Sequence, residues 1–128
     1  MGYYSDIRGA ITFEPPLNNK ELKALPPATE GLFGFVEEQD IRETDEGLLS
    51  VRSSCTIACR YEDSVKTYTA EEDLAALVRL LPGRTFSGEI RIEGAEQGDI
   101  QRLFVLDGEV VVWRAVLTWP DGSVEKAQ

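Results

Sequence analysis

TAEEDLAALVRLLPG, residues 69–83, contains the clearest helix in this sequence. Leu74, Leu77, Val78 and Leu81 recur at helical spacing, which lines them up as one apolar stripe. Thr69 and Glu72 have the spacing of a capping box, in which the hydroxyl accepts from the backbone three residues on and the glutamate reaches back. Glu71, Glu72 and Asp73 suit the positive end of the helix dipole, and Pro82-Gly83 is a stop signal. A helix with one apolar stripe needs a surface to bury it against, and the flanking sequence predicts strands.

Beyond the helix, Phe86, Gly88, Ile90 and Ile92 alternate with Ser87, Glu89, Arg91 and Glu93, the period of a strand. A polar loop from Gly94 to Asp99 leads to a strand over Ile100–Leu106. Asp107-Gly108 is the signature of a two-residue type I′ hairpin. The return strand runs from Glu109 to Trp119 and ends at Pro120-Asp121-Gly122. Before the helix, Asp6–Phe13 alternates, with Ile7, Gly9, Ile11 and Phe13 on one face. Pro15-Pro16 is expected to stop that strand, because proline cannot donate to a ladder. Asn18 or Asn19 caps a short helix through Leu25, closed by Pro26-Pro27. Leu32–Arg42 then reads as a strand, with a turn at Thr44-Asp45-Glu46-Gly47. In the next strand Leu49, Val51, Ser53, Cys55, Ile57 and Cys59 share one face. Ser50, Arg52, Ser54, Thr56 and Arg60 share the other.

The order β-α-β-β-α-β-β-β predicts an α+β fold in a single domain over residues 1–128. Its sheet is antiparallel or mixed, of about six strands, with two helices on one face. The first six elements fit a split βαβ arrangement. Residues 1–5 and 121–128 are expected to fray. A chain of 128 residues buries roughly two-thirds of its unfolded surface, so one core can hold it without staples.

Thirteen basic residues face 23 acidic ones, a net charge of −10. Such a field repels nucleic acid and anionic membranes and favours a basic partner. There is no histidine, and the only cysteines are Cys55 and Cys59. Four positions apart on a strand they sit about 13 Å from each other, too far for a disulfide. Both are expected as buried, reduced thiols, which fits a reducing cytosol. No apolar run reaches the ~18 residues of a membrane span, and Met1-Gly2-Tyr3-Tyr4-Ser5-Asp6 lacks the features of a signal peptide.

Without histidine, a Ser-His-Asp or Cys-His site is excluded. Two thiols fall short of the four ligands of zinc, and neither lies at a helix start that would activate it as a nucleophile. No Walker motif or dinucleotide fingerprint is present. Pro82-Gly83-Arg84-Thr85 follows a helix and precedes a strand, the reverse of a phosphate-binding turn. Neither a catalytic residue nor a metal or cofactor site is therefore predicted.

Two surfaces remain as candidates. Glu37, Glu38, Asp40, Glu43, Asp45 and Glu46 form the densest acidic cluster, opposed by Arg42 alone. It lacks the oxygen spacing of a calcium loop and suits either solvation or docking of a basic partner. The return strand is apolar on both sides, with Val110, Val112 and Val116 against Val111, Trp113, Ala115 and Leu117. Its second face is thus expected to be covered, by the N-terminal segment, a loop, a partner or a second copy. The Asp107-Gly108 register sets Arg102 opposite Trp113, where a cation–π pair can form.

Gly2-Tyr3-Tyr4, Gly9-x-Ile11 before Pro15-Pro16-Leu17, Asp45-Glu46-Gly47, Pro82-Gly83-x-Thr85-Phe86-Ser87-Gly88, Glu93-Gly94, Gly98-Asp99 and Trp119-Pro120-Asp121 together carry a resemblance. The sequence resembles, over nearly its whole length, an uncharacterised family of small acidic proteins from actinobacteria and their phages. The resemblance implies a bacterial or phage setting, hence a bacterial host cytosol, and carries over no catalytic residue.

The expected function is that of a non-catalytic binding or accessory protein acting through the acidic hairpin and the apolar sheet face. A nucleic-acid mimic that blocks a DNA-binding host protein is the first alternative; it needs carboxylates in rows along one face. A small-ligand binder or enzyme with a carboxylate-based site is the second. It needs a concave site of at least about 300 Å³ with two or more acids.

Overall fold

The computed structural model describes residues 3–26 and 31–126. In chain order its elements are β1 (Tyr4–Leu17), α1 (Asn19–Ala24), β2 (Phe33–Thr44), β3 (Gly47–Cys59), β4 (Val65–Lys66), α2 (Ala70–Val78), β5 (Thr85–Gly94), β6 (Ile100–Leu106), β7 (Glu109–Arg114), β8 (Val116–Thr118) and β9 (Val124–Lys126). β2-β3-β1-β5-β6-β7 is the order of the main sheet, with β4 added beside β1, and β8 pairs with β9 alone. Every pairing among the described residues is antiparallel, so the class is α+β and the mixed sheet is not formed.

β1 runs through the middle of the sheet and passes Pro15-Pro16 instead of stopping there. Its register with β3 shifts between Thr12 and Leu17, so the prolines lie where the ladder is already broken and no N–H is required. The Pro15 carbonyl accepts from Arg84 Nε at 3.1 Å. Gly9 and Gly88, diagonal neighbours on β1 and β5, both have φ of +87°. A Cβ on Gly9 would lie 2.5 Å from the Glu89 carbonyl oxygen, and one on Gly88 would lie 2.6 Å from that of Ala10. The two glycines allow a backbone twist and closeness that other residues cannot adopt.

Helices and core share one face of the sheet. Ile11, Phe13, Ile57, Ile90, Ile92 and Leu103 rise from the strands to meet Leu22 of α1 and Leu74 and Val78 of α2. α1 starts as expected. Asn18 accepts from the Glu21 N–H at 2.8 Å while Glu21 accepts from the Asn18 N–H at 3.2 Å. α2 does not. Thr69 makes no capping bond to the backbone; its hydroxyl donates to Asp73 Oδ2 at 2.9 Å, and the same oxygen accepts from Leu32 N–H at 3.0 Å. Asp73 thereby ties the entry of β2 to the helix, a long-range bond that replaces the local capping box. α2 also ends at Val78, before Pro82-Gly83, although Leu81 beyond it is buried.

A bulge on β3 overturns the expected faces of that strand. Val36 pairs with Thr56, but Glu37 pairs with Ser54, which leaves Cys55 as the extra residue. From there outward the alternation is inverted. Ser54 turns inward and is buried while Cys55 is half-buried, and Arg52, Ser50 and Leu48 follow Ser54's face. Both cysteines are free and half-buried, not fully buried as expected.

The return strand is broken. Ala115 N–H donates to the Ile100 carbonyl at 2.9 Å, and the chain leaves the sheet there to form the β8–β9 hairpin around Trp119-Pro120-Asp121-Gly122. The Asp107-Gly108 turn has positive φ at both residues, the type I′ geometry the sequence predicts. Tyr4 and Ser5 begin β1, and Val124–Lys126 form β9; residues 1–2 and 127–128 lie outside the described residues.

Candidate functional site

Beyond the bulge, β2 and β3 leave the core as an arm. From Glu37 to Ser50 every residue is exposed on both faces. The register places Glu37 and Glu43 on one face with Ile41 and Leu48, and Glu38 and Asp40 on the other with Leu49 and Val51. Asp45 and Glu46 form the two-residue tip. The six acids are thus brought to one arm but not to one face. Two are engaged: Arg52 meets Glu37 at 3.4 Å and Arg42 meets Asp40 at 3.1 Å. Glu38, Glu43, Asp45 and Glu46 make no ion pair. Between them Ile41 is 66% and Leu48 79% exposed. Exposed aliphatics on a solvated arm gain nothing for the fold, since they touch no core.

The face of the sheet opposite the helices is open. Across it run Arg8, Arg91, Arg102 and Trp113, each directly opposite the next on β1, β5, β6 and β7. Like charges in register repel, and the acids beside them relieve this. Arg91 pairs with Glu93 at 2.9 Å and Arg102 with Glu89 at 3.3 Å. The expected register of Arg102 and Trp113 is present, but the cation–π pair is not made. Arg102 turns to Glu89, and Trp113 packs edge-on against Phe104 at 4.9 Å. Trp113 remains 60% exposed. Tyr3, the first described residue, lies on the helix side, so among the described residues the start of the chain does not cover this face. Arginines occupy the central row of this face, with Asp6 and Glu93 in register beside it.

On the helix side, a cleft of about 490 Å³ opens between the start of α2, the start of β1 and the β5–β6 loop. Tyr3 builds its rim. Its hydroxyl accepts from Glu96 N–H at 2.7 Å and donates to the Asp99 carboxylate, while its own N–H donates to the Tyr68 hydroxyl at 2.9 Å. Desolvation and the nearby Asp99 and Glu96 carboxylates hold the Tyr3 phenol above its ordinary pKa, partly offset by the Glu96 N–H. A Cβ on Gly94 would overlap both the Tyr3 hydroxyl and the Asp99 carboxylate, so glycine at 94 is what permits this clasp. Opposite the loop, Gln101 and Arg114 stand in register on β6 and β7. Sequence reasoning did not assemble this cleft. Tyr3, Gly94 and Asp99 lie in matched family motifs, but 91 residues separate the first two.

Among the described residues no cluster of histidine, cysteine and acidic side chains could hold a metal ion, and no helix is long and apolar enough to cross a membrane. A family model matches residues 1–128, and its description is a family of unknown function, DUF6205. No curated protein matches the chain, and no solved structure does.

Proposed function

The chain belongs to that family of unknown function, and from its own surfaces we infer that it is a non-catalytic binding protein that docks a basic protein partner through the β2–β3 arm. One observation carries this reading. The arm stands clear of the core and sets exposed Ile41, Leu48 and Leu49 among carboxylates that have no cation of their own. Aliphatic anchors supply affinity once desolvated, and the surrounding charge steers a basic surface to them. The open sheet face, with Arg102 and Trp113, is a second contact surface for the same partner or for another copy. The setting we propose, on the family resemblance, is the cytosol of an actinobacterial host, with a phage origin for the gene.

The test is capture from an actinobacterial lysate by the immobilised chain. Glu38, Glu43, Asp45 and Glu46 reversed together to lysine should abolish capture, and added salt should weaken it for the wild type. Unchanged capture by the reversed chain would remove the arm from the account.

A further inference from the structure

The cleft at the start of α2 is separate from the arm, and its lining is chemically selective. Ser5 faces into it with only 4% of its surface exposed. The Ser5 hydroxyl makes no hydrogen bond among the described residues. Its oxygen opens to the cleft and is free to bond a ligand there. Arg114, at the other wall, makes no ion pair and offers a planar fork suited to a carboxylate. Glu71 on α2 and Glu96 on the loop are likewise unpaired acids, and Asp99 adds a third carboxylate already held by Tyr3. Three carboxylates against one guanidinium leave this pocket net negative. Leu103 and Val112 provide an apolar floor between the charged walls.

We propose that this cleft binds a small α-amino acid with a cationic side chain, of the lysine class. The ligand carboxylate pairs with Arg114, its two ammonium groups meet Glu71 and Glu96, its methylenes lie on Leu103 and Val112, and Ser5 gains a partner. A ligand with a net positive charge balances the pocket, and one lacking a carboxylate leaves Arg114 unmatched. The volume suits a molecule of this size. No bond is made or broken, so the site needs no catalytic group.

Isothermal titration of the full chain with L-lysine, putrescine and acetate separates the contributions. L-lysine is expected to bind with a Kd of about 1 mM or tighter. Putrescine, which lacks the carboxylate, should bind at least about tenfold more weakly, and acetate should give no heat. Arg114→Gln should erase the preference for lysine over putrescine, and Glu71→Gln should weaken both diamines by about tenfold. Both substitutions are at the surface, and circular dichroism verifies that the variants fold. Absence of lysine binding, equal affinity for putrescine, or unchanged affinity in folded Arg114→Gln and Glu71→Gln chains overturns the proposal. None of these results bears on partner capture by the arm.

Discussion

Arg84 donates to Glu21 at 2.7 Å across 63 residues of sequence, with the arginine side chain only 11% exposed. The same guanidinium reaches the Pro15 carbonyl. One side chain at the start of β5 thus fastens both the end of β1 and the first turn of α1. Glu21 also closes the α1 capping box, so a single carboxylate serves a local cap and a long-range pair.

This pair makes stability depend on pH in a defined direction. The Arg84 bond, then the Asn18 N–H, holds the Glu21 carboxyl below its ordinary value. A depressed folded pKa stabilises the fold above the unfolded pKa, and that contribution is lost as pH falls through the folded value. Urea midpoints of wild type and Glu21→Gln should therefore differ at neutral pH and converge in acid below about pH 4.5. A gap that stays constant with pH would show that the carboxylate is not the source.

Leu74 is fully buried between α2 and the sheet. Leu74→Ala removes its transfer free energy and leaves a cavity, which should cost about 2–5 kcal/mol. Half-buried Leu77, on the flank of the same helix stripe, should cost less when truncated. Urea denaturation of the two variants measures the difference.

Gly88→Ala combines a left-handed backbone with a Cβ directed at the Ala10 carbonyl. The backbone conformation alone costs about 1–3 kcal/mol, and the overlap adds to it by pushing β1 and β5 apart. Gly83→Ala has a similar positive φ but open space around the new methyl. Thermal melts should show the first far below the second.

Ile41→Ser with Leu48→Ser should leave global stability within about 0.5 kcal/mol, because surface changes away from the core are nearly neutral. Partner capture by this double variant should nevertheless fall. A marked loss of stability would mean that the arm packs against the body in solution.

How far the sequence reaches is visible at individual residues. Periodicity marked Leu74, Val78, Ile90 and Ile92 as core, and the Asp107-Gly108 turn fixed the pairing of Arg102 with Trp113. The same alternation misplaced Ser54 and Cys55, since an extra residue in one strand is invisible until its partner is known. Thr69 and Glu72 had the spacing of a cap, yet Asp73 took the hydroxyl because Leu32 needed an acceptor from that same carboxylate. Of the binding surfaces, the acidic run from Glu37 to Glu46 was apparent as composition. Its division between two faces, and the cleft around Tyr3, Ser5 and Arg114, were not.

Sequence alone determined what depends on neighbours a few positions apart: the strand and helix periods, the type I′ turn, an asparagine cap at Asn18 or Asn19, the net charge and the lack of an imidazole. Tertiary structure decided what depends on which backbone lies alongside which. It set the bulge at Cys55, the exit of the chain at Ala115, the row of arginines ending at Trp113, and the clasp of Tyr3 on Asp99. Local preferences act through bonds and sterics within one turn, whereas these features arise from hydrogen-bond register between segments dozens of residues apart.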